Sequence, residues 1–141
     1  MLNGMAKWSW VAALLVLIAA CAAPERPKPE VGRHGVSVSA EHSGSSIELG
    51  LDQELVVRLA TPANTASEWS LIDSAPGVLA GQGASKFERE SWATSSDDGS
   101  GAVVWRFRPA AAGTAALKFE YRRVRSLDPA TQTVTYTVWV R

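Results

Sequence analysis

The sequence is poor in the residues that most chemistries need. Its 141 residues hold one cysteine, Cys21, and two histidines, His34 and His42. A single cysteine excludes an internal disulfide framework and a cysteine-rich zinc site. Two histidines, both near the start of the globular region, leave little material for a base beside a nucleophile. Charge of either sign is not in excess, with 14 basic against 14 acidic residues. That balance removes the electrostatic case for nucleic acid. No apolar run is long enough to cross a bilayer. Val11 to Ala20 is ten residues long, and a spanning helix needs about 20. What remains, at 46% hydrophobic and 20% charged, is ordinary globular composition.

That short run follows Lys7 and ends in Ile18-Ala19-Ala20-Cys21. It suits the apolar region of a secretory signal. The ending resembles the bacterial lipoprotein signal, in which a cysteine after small residues is lipidated and becomes the first mature residue. The resemblance implies a signal peptide over 1–20 and a lipid anchor on Cys21. Ala22 is not an inner-membrane retention aspartate, so the expected location is the bacterial envelope, on the outer membrane. The alternative is an ordinary signal with an incidental cysteine. Residues 21–34 carry Pro24, Pro27 and Pro29 among charges. Such a stretch buries too little to fold and reads as a semi-rigid tether.

Residues 35–141 then form a single domain. Its dominant signal is period-two alternation. Leu55, Val57 and Leu59 share one face. So do Val103, Trp105 and Phe107, with Arg106 and Arg108 opposite. Leu117, Phe119 and Tyr121 alternate with charges, and Val134, Tyr136, Val138 and Val140 alternate mainly with threonines. Gly- and Pro-bearing turns separate these runs. The pattern predicts an all-β fold, a β-sandwich or small barrel. A domain of about 107 residues buries roughly 60–70% of its unfolded surface, enough for one core. There is no internal repeat.

Candidate chemistry is sparse. No serine stands in a G-x-S-x-G context. Asp97 and Asp98 are adjacent, so they diverge in extended chain rather than converge as an acid/base pair. Gly99-Ser100-Gly101 lacks a phosphate-binding lysine. His42 reads as a solvated loop residue. Trp92 suits either an exposed binding surface or a buried site. No catalytic residue, metal site or cofactor is expected.

The stretch from Gly99 to Arg125 reads GSGAVVWRFRPAAAGTAALKFEYRRVR. It is similar to the chagasin-type inhibitors of papain-like cysteine proteases. That family has a G-x-G-G loop, an F-x-F strand, a glycine turn, an aromatic-ended strand and an R-P-W loop. Here stand Gly99-Ser100-Gly101-Ala102, Trp105-Arg106-Phe107, Gly113, Leu117 to Tyr121, and Arg123-Val124-Arg125. Upstream, Leu59 and Trp69 bracket Pro62-Ala63-Asn64-Thr65-Ala66, where the family carries N-P-T-T-G. The resemblance implies an immunoglobulin-like sandwich of about seven to eight antiparallel strands. It also implies a non-enzymatic inhibitor whose three end loops plug a protease cleft. The implied protease-binding residues are Asn64, Thr65 and Ala66, then Gly99, Ser100, Gly101 and Ala102, then Arg123, Val124 and Arg125. Two departures stand out. Ala66 replaces a glycine and would be strained at positive φ. Arg125 puts a charge where the family has an aromatic. The alternative is an envelope lipoprotein that uses the same scaffold for another protein contact.

Overall fold

The structure is a computed structural model that describes residues 24–63, 65–89 and 99–141. Its strands in chain order are β1 (Glu30–Gly32), β2 (Gly35–Ser39), β3 (Ser45–Leu49), β4 (Glu54–Thr61) and β5 (Ser67–Asp73), then β6 (Leu79–Gly81), β7 (Lys86–Arg89), β8 (Gly101–Pro109), β9 (Gly113–Arg123) and β10 (Gln132–Val140). One sheet runs β1-β2-β4-β8, with β6 and β7 following one another along the free edge of β8. The other runs β3-β10-β9-β5. The described residues thus hold ten strands in two sheets.

The alternating residues face one another across the sandwich. Leu55, Val57 and Leu59 are fully buried in the first sheet, and Leu117, Phe119 and Val138 in the second. Phe119 joins the two layers. Its ring centroid lies 4.9 Å from Trp105 of the opposite sheet and 6.2 Å from Tyr136. Tyr136 makes a second tie, donating its hydroxyl to the Ser39 carbonyl at 2.6 Å. Burial pushes that hydroxyl's pKa well up, so it remains a donor.

The sandwich differs from the sequence expectation in particulars. Two pairings are parallel, β2 with β4 and β3 with β10. Both arise because the chain crosses from one sheet to the other at Ala40–His42, a 3-10 turn, instead of folding back as a hairpin. The strand count exceeds seven to eight because short edge strands add to the alternating ones. One of these, β1, lies inside the stretch read as tether and pairs Glu30 with Ser37. His42 is buried, not solvated. Its Nδ1 accepts the Ser39 N–H at 2.9 Å, which folds the ring back against the turn.

The outer face of the first sheet explains a further difference. Val104 and Ala102 point away from Trp105 yet are buried. Val104 stands between Arg58 and Lys86, and Ala102 between Ala60 and Glu88. Glu88 binds Arg58 at 2.6 Å and Arg106 at 3.4 Å, so long side chains are drawn across both residues and shed water from them.

These ion pairs make an acid-stability prediction. The hydrogen bond from Arg58, with the charges of Arg58 and Arg106, holds the Glu88 carboxyl below its ordinary 4.5. Lys118 and Arg122 do the same for Glu120. On acidification the unfolded chain takes up these protons first, so their stabilisation is present above the ordinary carboxylate range and fades below it. Denaturant midpoints should therefore fall between neutral pH and about pH 3.5, and less steeply in Glu88→Gln. An identical slope in that variant would remove Glu88 from the account.

Candidate functional site

The strand register brings three loops to one end of the sandwich. β4 ends at Thr61, opposite Gly101, where β8 begins. β5 begins at Ser67, opposite Arg123, where β9 ends. β10 begins at Gln132, opposite Tyr121. The central loop 62–66, the segment before Gly101 and the third loop 124–131 therefore converge.

Hydrogen bonds tie the central loop to both neighbours. The Ala63 N–H donates to Ser100 Oγ at 3.1 Å. On the other side the Val124 N–H donates to the Ala66 carbonyl at 2.8 Å. The Tyr121 hydroxyl donates to Thr65 Oγ1 at 3.0 Å, and the same oxygen accepts the Ser67 N–H at 3.1 Å. Thr65 thus spends its hydroxyl bracing the loop. Beneath it, Trp69 Nε1 donates to the Ala60 carbonyl at 3.0 Å, and its ring packs 5.0 Å from Tyr121. A groove of about 450 Å³ runs between Pro62, Ser100, Gly101 and Tyr121.

Trp69→Phe keeps an aromatic side chain but removes the indole N–H and part of the ring volume. It should cost about 1 kcal/mol by denaturant unfolding, with the loss centred on the central loop. No change in stability would show that the Ala60 bond is replaced by water.

The second loop shows why small residues are needed. Gly99 takes a φ of 78°, in the region that favours glycine. A Cβ on Gly101 would run into the Glu88 carbonyl and stand 2.6 Å from the Phe87 ring. Gly101 and Ala102 both lie inside β8, and Ala102 is buried under the outer-face ion pairs, so they support the loop instead of forming its tip.

The third loop holds the unexpected features. Arg123, Val124 and Arg125 are exposed, as expected of contact residues. The strained residue is Arg125, at φ 57°, and not Ala66, which is absent from the positive-φ region. Leu127, unremarked in the sequence, is fully exposed at 103%. Its position is set by its neighbours. Ser126 Oγ donates to Asp128 Oδ2 at 2.6 Å and accepts the Asp128 N–H at 3.1 Å. Arg122 reaches the Asp128 carbonyl at 3.4 Å while gripping Glu120 at 2.6 Å. An aliphatic residue between serine and aspartate was the available signal, but sequence alone does not separate an exposed leucine from a buried one. Cys21, Asn64, Trp92, Asp97 and Asp98 lie outside the described residues. Among those described, no three His, Cys, Asp or Glu side chains gather as metal ligands.

The sequence profile of the chagasin family peptidase inhibitors (I42) matches residues 48–140. Among solved structures, the fold is similar to the cysteine protease inhibitor EhICP2 of Entamoeba histolytica, with a TM-score of 0.68 at 14% identity, over 77% of this chain and 96% of that one. It is also similar to amebosin, with a TM-score of 0.61 at 17% identity, over 78% of this chain and all of the other. No curated protein matches the sequence significantly. Identities this low speak for the sandwich itself.

Proposed function

The chain belongs to the chagasin family of peptidase inhibitors, and on that premise we propose that it inhibits papain-like cysteine proteases by filling the active-site cleft with its three end loops. The observation that carries this reading is the mutual bracing of those loops. The central loop is bonded to the second through Ser100, to the third through Val124, and to β9 through Tyr121. Loops already fixed in the free protein lose little entropy on docking, which favours a tight, non-productive complex. No bond of the inhibitor needs to be cut, and no group of this chain needs to turn over. The contact set is Asn64, Thr65 and Ala66, then Gly99 and Ser100, then Arg123 to Arg125, with Gly101 and Ala102 supporting the second loop from within β8. Thr65 acts through loop shape, since its hydroxyl is engaged by Tyr121. The same reading includes removal of residues 1–20, a lipid anchor on Cys21 and residence on the bacterial outer membrane.

The test is an inhibition titration of the chain from Ala22 onward against papain and cathepsin-like proteases. A sharp stoichiometric endpoint with the inhibitor left intact is expected. A folded chain that inhibits none of them at micromolar concentration would overturn the reading in favour of an envelope interaction protein.

Charge sets a preference among targets. Arg123 at the end of β9 and Arg125 on the third loop face solvent, so proteases with an acidic cleft wall should be preferred. Arg125→Ala removes the guanidinium with its aliphatic stem and leaves another non-glycine residue at the positive-φ position. It should weaken binding to such a protease by about 3- to 10-fold, mainly in the association rate at low salt. Unchanged binding would remove the charge preference.

A further inference from the structure

The N-terminal segment leaves the domain at the same end as the three loops. β2 runs parallel to β4, with Gly35 opposite Glu54 and Ser39 opposite Arg58, so both strands point toward the loop end. β1 runs against β2, with Glu30 opposite Ser37 and Gly32 opposite Gly35. Followed backward from Glu30, the chain therefore heads to the loops. Pro27 and Lys28 confirm the direction, since they border a cavity of about 490 Å³ with Ser39, His42, Ala60 and Ala102. Ala60 and Ala102 adjoin Thr61 and Gly101, the roots of the central and second loops. Arg26 lies at the same level, with its Nη1 3.6 Å from the place of a Cβ on Gly44. The C-terminus is at the opposite end, where Val140 pairs with Gly113 and the Arg141 N–H meets the Leu49 carbonyl.

Cys21 stands three residues before Pro24, a reach of at most about 11 Å. Given the lipid anchor on Cys21 proposed above, on which this step rests, we infer that the anchored chain holds its three loops toward the bilayer, so that the partner this surface fits is a papain-like protease working at that same membrane surface. A globular protease of about 200 residues has a radius of gyration of ~16 Å, so it is far wider than the gap the anchor leaves. A protease in bulk solvent must wait for the domain to swing aside. One held at the membrane meets the loops from the side.

Two measurements on the acylated full chain decide the matter. In the first, Leu51→Cys and Leu127→Cys each carry a fluorophore, on vesicles of zwitterionic phosphatidylcholine containing a lipid-borne quencher. Leu51 is exposed in the turn at the far end and Leu127 on the third loop. Acylation consumes the native thiol, and the neutral surface gives Arg123 and Arg125 no charge to seek. The label at 127 should be quenched about twice as strongly as that at 51 or more, since the two ends differ by a strand length of roughly 20–30 Å. Equal or reversed quenching overturns the orientation.

In the second, soluble papain should associate with the vesicle-bound chain at least about 10-fold more slowly than with the unanchored chain. A Gly/Ser insertion of about 20 residues before Pro24, with an r.m.s. reach of about 25 Å, should restore the rate. Papain tethered to the same vesicles should be inhibited without the insertion. Equal rates for anchored and unanchored chains overturn the inference, and so does a chain that cells leave unacylated. An unanchored chain that inhibits no papain-like protease defeats the inhibitor reading alone, because the quenching order still reports the orientation.

Discussion

Leu127→Asp should weaken inhibition of a papain-like protease by roughly 10- to 100-fold, the loss of a central apolar contact. Leu127 is the most exposed large hydrophobic of the described residues. It sits on a loop held by the Ser126–Asp128 hydrogen bonds and by Arg122. An apolar side chain on a loop that is already held in place is what an interface can use as an anchor, since little backbone freedom remains to be lost. The family's aromatic has no counterpart at Arg125, and Leu127, two positions on, restores an apolar group to the same loop. The substitution touches nothing in the domain, so the unfolding midpoint should stay within about 0.5 kcal/mol of the parent. Leu127→Met should retain most of the inhibition. Full inhibition by the aspartate variant would place the third loop's contribution elsewhere, with Val124 the next candidate.

The largest effect on stability should come from Phe119→Ala, at about 3–5 kcal/mol, with a fall in Tm on the order of 15 °C. Phe119 is completely buried and touches aromatic rings of both sheets. Truncation leaves a void between Trp105 and Tyr136 that β-strands cannot collapse to fill without losing register. A domain of this size has only about 5–15 kcal/mol in total, so the variant should be marginal at physiological temperature. Phe119→Leu should cost much less, and it serves as the control for overall foldability. An alanine variant as stable as the parent would mean that the sheets do not meet at this ring.

The acid limb and the Trp69 bond act at smaller scale, but they separate two parts of the molecule. Glu88 reports the outer face of the first sheet, and Trp69 reports the floor of the central loop. Changing one should leave the other's readout unmoved, because the groups share no partner.

Much of this protein is written locally in its sequence. Alternation at Leu55 to Leu59, Leu117 to Tyr121 and Val134 to Val140 depends only on successive side chains pointing to opposite faces, so it marks strands without reference to anything distant. The three loops were visible too, as turn residues between those runs and as the spacing of Leu59, Trp69 and Gly99 to Arg125. Tertiary structure decided what depends on register and on cover. Thr65 could not be known as a brace until β9 brought Tyr121 beside it, 56 positions along the chain. His42 was read as solvated because nothing nearby in sequence buries it, and the crossover between sheets does. Ala102 and Val104 break the alternation because residues from β4 and β7 roof them with ion pairs. The exit of the N-terminal segment beside the loops follows from one antiparallel pairing laid on one parallel pairing. Local chemistry chooses which segments are strands, and only long-range packing chooses which ends they share.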